Sequence, residues 1–163
     1  MEKTAHCLCG RFCAIVTADP QRVTICHCEA CQRRSGIPLT CNAHYRTSDV
    51  RLEGAHKIYV RDGQEGRKVR HHFCPECGTT VYTTGEKFPD LCMVVVGAFA
   101  DPTYPAPTVS VFEETKHHWV VLSSGMEHYP QGRPPKWTPP LKNVGAAVAA
   151  DRGGVRIPGD RGH

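Results

Sequence analysis

The sequence predicts a mainly β domain built from short antiparallel strands that metal ions hold together. Short β-type runs separated by turn residues fill the chain up to about residue 125, and no stretch keeps a helical apolar period. Seven of the ten cysteines also lie in three tight clusters, at residues 7–9, 26–31 and 74–77. Thiolates one to three residues apart converge on a point at low loop cost, which is typical of zinc sites and unsuited to paired disulfides.

Ten segments have the composition and alternation of strands. In chain order they are residues 11–17, 22–26, 39–45, 50–53, 56–60, 68–73, 80–83, 91–96, 108–112 and 118–122. Asp62-Gly63 is a turn signal between the fifth and sixth of these, which predicts that they pair as an antiparallel hairpin. That hairpin would lead directly into Cys74.

Length and composition predict one domain and a tail. Residues 1–130 form the β domain, and residues 131–163 are a basic segment rich in Pro and Gly that we expect to be disordered from about residue 143, with Trp137 and Leu141 docked on the body. No basic leader followed by an apolar stretch appears, and no run approaches the ~20 apolar residues of a membrane span. We therefore expect a cytoplasmic protein without a membrane partner, in a compartment that keeps thiols reduced.

The net charge of +4 suits small anionic substrates or weak contact with nucleic acid. Aromatic residues make up only 7% of the chain, and no stripe of alternating basic and aromatic residues marks a stacking surface, which argues against nucleic acid as the partner. A homo-oligomer is compatible with the sequence.

The first and third clusters predict one closed metal site. Cys74 and Cys77, followed by Gly78, resemble a zinc knuckle, and Cys7 and Cys9 are the best source of the two further ligands. We expect the N-terminal strand to lie beside the strand that ends at Phe73. The alternative, two separate redox dithiols, is disfavoured because such sites open a helix in a βαβ unit that this sequence lacks.

The second cluster offers three thiolates in six residues: Cys26, Cys28 and Cys31. Three thiolates leave tetrahedral zinc one ligand short, and water or a substrate sulfur can complete it. The alternative is a fourth ligand from the chain itself, for which the candidates are Cys13, Cys41, His27 and His44. His27 lies between two ligands, and in an extended segment its side chain would point the opposite way.

Three ordered motifs carry a resemblance to a known family. They are CxCG at residues 7–10, CHCxxCxRxSG at 26–36 and FCxxCG at 73–78, followed by a β-run, a glycine at 97 and Asp101-Pro102. Over about residues 4–130 the chain resembles the glutathione-dependent formaldehyde-activating enzyme family, which is related to centromere protein V. The resemblance implies an Mss4-like β-tent. It also implies a structural zinc on Cys7, Cys9, Cys74 and Cys77, and a catalytic zinc on Cys26, Cys28 and Cys31 at which glutathione binds.

The resulting hypothesis is a zinc-dependent carbon–sulfur lyase, similar to S-(hydroxymethyl)glutathione synthase, with glutathione and an aldehyde as substrates. A thiol bound to zinc is a thiolate at neutral pH and can add to a carbonyl carbon. Arg33 and Arg34, directly after Cys31, are the nearest cations in sequence and are predicted to bind a glutathione carboxylate, the alternative being a solvated turn.

Other expectations concern histidines and an aromatic residue. His71, His72, His117 and His118 form adjacent pairs within predicted strands, so one of each pair faces a given side. A proton-transfer role for any of them is less favoured than a structural one, and Trp119 is expected in the core. The alternative functions are a non-catalytic, zinc-stabilised binding module for protein or nucleic acid, and a metal buffer or redox sensor.

Overall fold

We analysed a computed structural model, which describes residues 2–132. The predicted disorder of the tail and the docking of Trp137 and Leu141 lie outside the described residues. The described chain is mainly β, as predicted. Its strands are β1 (Lys3–His6), β2 (Cys13–Val16), β3 (Arg22–Cys26), β4 (Thr40–Arg46), β5 (Val50–Glu53), β6 (Lys57–Asp62), β7 (Lys68–Phe73), β8 (Thr80–Gly85), β9 (Leu91–Val95), β10 (Val109–Val111) and β11 (Glu127–His128), and α1 is Glu29–Ser35.

The strands form two sheets. One has three antiparallel strands in the order β1-β2-β5, and the other has eight in the order β11-β10-β3-β4-β9-β8-β7-β6. All neighbours in the large sheet are antiparallel except that β10 runs parallel to β3 and to β11. The hairpin that Asp62-Gly63 predicted is confirmed, since Lys57 of β6 lies opposite Phe73 of β7 and Asp62 lies opposite Lys68. Cys74 follows directly on this hairpin.

The main core lies between the two sheets. Phe12 precedes β2 of the small sheet, and Tyr45 and Val94 belong to β4 and β9 of the large sheet; all three are 1% exposed or less and share one cluster. Burying an apolar side chain of this size stabilises the fold by roughly 1.5–3 kcal/mol. Cys7 and Cys74 belong to the same cluster. Tyr45 lies in a segment that alternates apolar and polar residues, whereas Phe12 and Val94 lie in continuous apolar runs.

Several predicted elements differ from the structure. β1, β11 and α1 were not predicted, and residues 118–122 form no strand. α1 has seven residues and buries none of them, so it carries no apolar period that could reveal it. Trp119 is 58% exposed rather than in the core. No described helix is long and apolar enough to span a bilayer.

Candidate functional site: two thiol clusters and a cationic cavity

Four sulfurs converge where two loops of the same shape meet. Cys7 and Cys9 lie in the turn between β1 and β2, and Cys74 and Cys77 lie in the loop between β7 and β8. In each loop a glycine at positive φ donates its N–H to the carbonyl oxygen of the first cysteine: Gly10 to Cys7 at 3.0 Å and Gly78 to Cys74 at 2.9 Å. This turn requires the left-handed conformation that glycine adopts freely. The four sulfurs, which we call the four-thiol cluster, lie within 4.8 Å of one another.

The geometry of the four-thiol cluster fits a tetrahedral metal ion. Cys9 Sγ lies 3.6 Å from Cys7 Sγ and 3.6 Å from Cys74 Sγ. Zinc with Zn–S bonds of about 2.3 Å would set its sulfur ligands about 3.8 Å apart. Thr79 joins the two loops, because its Oγ1 accepts a hydrogen bond from Leu8 N at 3.2 Å and lies 3.3 Å from Cys77 Sγ.

The Thr79 contact also favours the thiolate of Cys77. The Thr79 hydroxyl, followed by the backbone amides of Thr79 and Cys9, lowers the pKa of Cys77 to about 5. A thiolate is the form that binds a metal ion. The expectation that the N-terminal strand lies beside β7 is wrong. The first predicted strand contains β2, which belongs to the small sheet, whereas β7 belongs to the large sheet. The two loops meet at the edge of the core that those sheets share.

Three further sulfurs lie together at the junction of β3 and α1. Cys26 is the last residue of β3, Cys28 is the N-cap of α1 with extended backbone angles, and Cys31 is in the first turn of the helix. Positions three apart on a helix lie on the same side, so the helix brings Cys31 next to Cys28. The three sulfurs, which we call the three-thiol cluster, lie within 4.8 Å of one another.

Helix α1 is held in place by the side chain of Gln32. Its Nε2 donates to the carbonyl oxygens of His27 at 2.6 Å and of Thr115 at 3.0 Å, and its Oε1 lies 2.9 Å from His117 Nε2. The helix ends at Gly36, whose φ of 73° places it in the left-handed region, and Ser35 Oγ donates to the Cys31 carbonyl at 2.8 Å. Ser35 and Gly36 therefore shape the turn that ends the helix.

No fourth side chain completes the three-thiol cluster within the described residues. The group of Cys, His, Asp and Glu ligand atoms that lie within 4.8 Å of one another has only these three members. Cys13 and Cys41 lie in β2 and β4 outside the group, His44 Nε2 lies 2.9 Å from Thr24 Oγ1, and the fully buried His27 also lies outside it. The candidates for an internal fourth ligand are thus not assembled with the three sulfurs.

The surroundings of the three-thiol cluster stabilise negative charge on one sulfur. The pKa of Cys31 is strongly lowered, first because the thiols of Cys26 and Cys28 hydrogen-bond to its sulfur, and further by the Thr40 hydroxyl and the positive charge of Arg34. The pKa of Cys26 is raised, because its thiol hydrogen-bonds to Cys28 and Cys31 and because it is buried. Cys31 is therefore the thiol of this cluster whose surroundings most favour the thiolate form. Soft thiolate ligands suit zinc.

The three-thiol cluster opens onto a cavity of about 470 Å³. Its sulfur-bearing residues line the wall together with apolar side chains that include Met93, Val111 and Phe112. Among the described residues, five cationic side chains line it as well and no lining residue has a carboxylate; the cations are Arg34, Arg61, Arg67, Lys68 and Lys87. The volume suits a ligand of tripeptide size. None of the four-thiol cluster's cysteines lines this cavity.

The two arginines predicted to bind substrate lie in different places. Arg34 lines the cavity, and its buried Nε has no hydrogen-bond partner among the described residues. Arg33 is not a lining residue: its side chain is 79% exposed and its Nη2 lies 2.8 Å from Glu29 Oε2, one turn earlier on α1.

Two residues that line the cavity, His71 and Arg61, were not predicted as site residues. His71 is 4% exposed and lines the cavity, whereas its neighbour His72 does not. Arg61 lies on β6, and no motif links it to the cysteines. The predicted hairpin was the one sequence feature that could have placed Arg61 near the cavity, since pairing β6 with β7 brings Arg61 close to His71. His117 and His118 lie in a loop rather than in a strand, so the alternation argument does not apply to them.

Fold and site together define a mainly β protein with two thiol clusters suited to metal ions, one of them beside a cationic cavity. The model of the glutathione-dependent formaldehyde-activating enzyme family matches residues 2–115, and the chain belongs to this family. A crystal structure of a Rhodobacter sphaeroides protein aligns with 63% of this chain and 92% of its own, with 28% sequence identity and a TM-score of 0.46. No curated protein matches the chain.

Proposed function

We propose that this protein is a zinc-dependent carbon–sulfur lyase that forms or cleaves adducts of glutathione with aldehydes, as S-(hydroxymethyl)glutathione synthase would. One observation carries the proposal. Within residues 2–132, a cluster of three thiols has no fourth ligand and lines a cavity that has five cationic side chains and no carboxylate. Family membership supports glutathione and formaldehyde as the substrate pair, because the family's description names both.

The residues present fit two zinc ions with different tasks. Cys7, Cys9, Cys74 and Cys77 would hold one ion in a complete set of four sulfurs away from the cavity. Cys26, Cys28 and Cys31 would hold the other through three sulfurs that also line the cavity. Zinc at this second site would supply one thing to the chemistry: it lowers the pKa of an added thiol, so that the thiol reacts as a thiolate at neutral pH.

The chain's own residues would bind and orient the substrates. Glutathione carries two carboxylates, and Arg34 lies beside the three-thiol cluster with a buried Nε that has no partner among the described residues, so it can receive one of them. Sulfur addition to an aldehyde forms one C–S bond, and the carbonyl oxygen takes up the proton that the thiol has lost. The apolar wall formed by Met93, Val111 and Phe112 limits water around the reacting carbon.

The test is an exchange measurement with purified protein. We expect the protein to accelerate the interconversion of glutathione, formaldehyde and their adduct, measured by exchange NMR spectroscopy, and to contain two zinc ions per chain by mass spectrometry. Cys28→Ser should remove one zinc and reduce the exchange rate by at least about a hundredfold, since two sulfurs hold zinc weakly.

Cys41→Ala is the matched control. Cys41 is a partly buried cysteine in β4 that belongs to neither cluster, so this variant should keep both zinc ions and the full exchange rate. Exchange no faster than in buffer, with several aldehydes and two zinc ions bound, would refute the lyase proposal and favour the non-catalytic binding module.

A further inference from the structure

A second arginine, Arg61, lines the cavity from β6, the edge strand of the large sheet. Arg61 Nε donates a hydrogen bond to His71 Nε2 at 3.1 Å, and Arg61 Nη1 donates to the Asp62 carbonyl oxygen at 2.9 Å. On the other side of the same imidazole, His71 Nδ1 lies 3.1 Å from Thr83 Oγ1. Arg61, His71 and Thr83 thus form a hydrogen-bonded row across β6, β7 and β8, and all three residues line the cavity.

This row fixes the protonation of His71. A guanidinium is always a donor, so His71 Nε2 must be the acceptor, and the ring hydrogen must lie on Nδ1, where it is donated to Thr83. Burial, with the charges of Arg34 and Arg61, lowers the pKa of His71 to about 4, which agrees with a neutral ring. Because its one lone pair is occupied, His71 is poorly placed to transfer a proton. Its effect is to hold the guanidinium of Arg61 in one orientation.

Arg61 keeps binding capacity after these contacts. An arginine has five N–H donors, and the two hydrogen bonds above use two of them, which leaves three. Within residues 2–132, neither Arg61 nor Arg34 has a carboxylate at ion-pair distance, whereas Arg67, Lys68 and Lys87 each lie near Glu65 or Asp62. Two guanidinium groups without a carboxylate partner therefore face one cavity. Such a pair can bind an anion that comes from outside this part of the chain.

We propose that Arg61, together with Arg34, forms a subsite for an acidic group of the substrate, and that His71 and Thr83 position Arg61. The proposed class of substrate is a thiol that carries a carboxylate on the side of the molecule away from the sulfur. Arg61 determines specificity through charge and a two-pronged hydrogen bond, and His71 is a positioning residue. The inference rests on the proposed function in one respect: it takes the three-thiol cluster as the place where the substrate sulfur binds.

The first experiment measures binding without turnover. S-methylglutathione has both carboxylates but no free thiol, and its diethyl ester has neither carboxylate. By isothermal titration calorimetry with the zinc-loaded protein we expect the acid to bind at least tenfold more tightly than the diester, and Arg61→Gln to abolish most of this difference. Arg70→Gln is the matched control, because Arg70 lies on β7 and pairs with Glu86 at 2.9 Å, and it does not line the cavity.

The second experiment uses two small thiols that differ in one group, 3-mercaptopropionate and 3-mercaptopropanol. In the formaldehyde exchange reaction, Arg61→Gln should raise KM for the acid about tenfold or more, change kcat less than about twofold, and leave both constants for the alcohol unaltered. Arg61→Lys, which keeps the charge but loses the planar fork, should give an intermediate KM. If Arg61→Gln fails to fold, Arg61→Lys replaces it in both experiments.

His71 is tested by a conservative and a non-conservative variant. A glutamine at this position offers Oε1 as an acceptor for Arg61, so His71→Gln should keep the preference for the acid, and His71→Leu should lose it. A merely structural role would affect both thiols alike. Equal affinity of the wild-type protein for S-methylglutathione and its diester would overturn the subsite. So would equal weakening of acid and alcohol in Arg61→Gln. Because the calorimetry needs no catalysis, absence of exchange would refute the lyase and leave this result standing.

Discussion

The two thiol clusters contain the same kind of ligand in opposite settings. The four-thiol cluster takes its cysteines from two loops more than sixty residues apart in sequence, and two of them, Cys7 and Cys74, are part of the main core. The three-thiol cluster takes its cysteines from six consecutive residues, and it packs with a small satellite group around Val109 and Val111. A metal ion bound to the four-thiol cluster would close a long loop of the chain, and one bound to the three-thiol cluster would close only a short loop.

Under the proposed function, this contrast corresponds to one stabilising and one reactive site. A crosslink between distant segments restricts the unfolded chain strongly, so metal bound by the four-thiol cluster contributes to folding. The three-thiol cluster gains little from loop closure, but it faces the cavity and lies next to Arg34 and Thr40. Fold stability and reactivity should therefore respond to different cysteines, and each prediction below tests that division.

The largest expected effect is on folding, from Cys77→Ser. Removal of one ligand from the four-thiol cluster should lower the melting temperature by roughly 10 °C or more, or leave most of the protein insoluble. Cys28→Ser should change the melting temperature by only a few degrees while it removes one zinc. Circular dichroism melting curves and metal content of both variants check this. Similar loss of folding in the two variants would contradict the division.

The next effect concerns a glycine that supports the four-thiol cluster from outside. Gly54 follows β5 at a φ of +89°, and a Cβ at this position would lie 1.9 Å from the carbonyl oxygen of Arg11, in the segment that joins Cys9 to β2. Gly54→Ala should reduce the free energy of unfolding by about 3 kcal/mol, because both the positive φ and the backbone contact oppose a side chain. Chemical denaturation measures this. A change in unfolding free energy below about 1 kcal/mol would show that the segment around Arg11 moves to accommodate the added side chain.

A smaller effect is expected at the three-thiol cluster from Thr40→Val. Thr40 Oγ1 accepts a hydrogen bond from Asn42 Nδ2 at 3.2 Å, so its one hydroxyl hydrogen is available to the Cys31 sulfur. Loss of such a supporting contact typically weakens metal binding by ten- to a hundredfold. We expect about tenfold weaker zinc binding at one of the two sites, measured by competition with a chromophoric chelator.

Thr40→Ser keeps the hydroxyl and is the control for that measurement. It should restore the affinity of the wild-type protein. Thr79→Val supplies the comparison with the four-thiol cluster, because Thr79 contacts Cys77 and Leu8. Thr79→Val should lower the melting temperature and leave the zinc affinity of the three-thiol cluster nearly unchanged. If Thr40→Val alters the melting temperature and leaves both affinities unchanged, Thr40 is part of the scaffold and does not tune the cluster.

Local signals made much of the fold predictable. Alternation placed β3, β5 and β7 with their observed bounds, and Asp62-Gly63 predicted the β6–β7 hairpin. A strand can be read from its own residues where apolar and polar side chains alternate, as they do in β5. The short helix α1 was missed since it buries no residue. β1 was missed since Ala5 is its one apolar residue, whereas the equally short β5 alternates Val50 and Leu52 with charged residues.

The candidate site also has a part that local sequence patterns predict and a part that they do not. The cysteine groupings were predictable, because close spacing brings sulfurs together whatever the rest of the chain does, and the cysteines of each predicted group do lie together. Arg61 was not predictable, since its place at the cavity depends on the order of strands in the large sheet. The route by which the four thiols meet was predicted wrongly, because no sequence pattern distinguishes pairing within one sheet from packing between two.

The smallest effect predicted is on α1, the helix that contains Cys31 and has Cys28 as its N-cap. Gly36 ends α1 at a φ of +73°, and a Cβ there would meet no atom within 4 Å, unlike at Gly54. Gly36→Ala should therefore cost only the conformational strain of the left-handed region, about 1 kcal/mol in unfolding free energy. Gly36→Asn should cost less, since asparagine tolerates this region. If the four-thiol cluster dominates stability, both variants should melt near the wild type, and any loss should appear as faster zinc exchange at the three-thiol cluster. A loss as large as that of Gly54→Ala would show instead that α1 is integral to the fold.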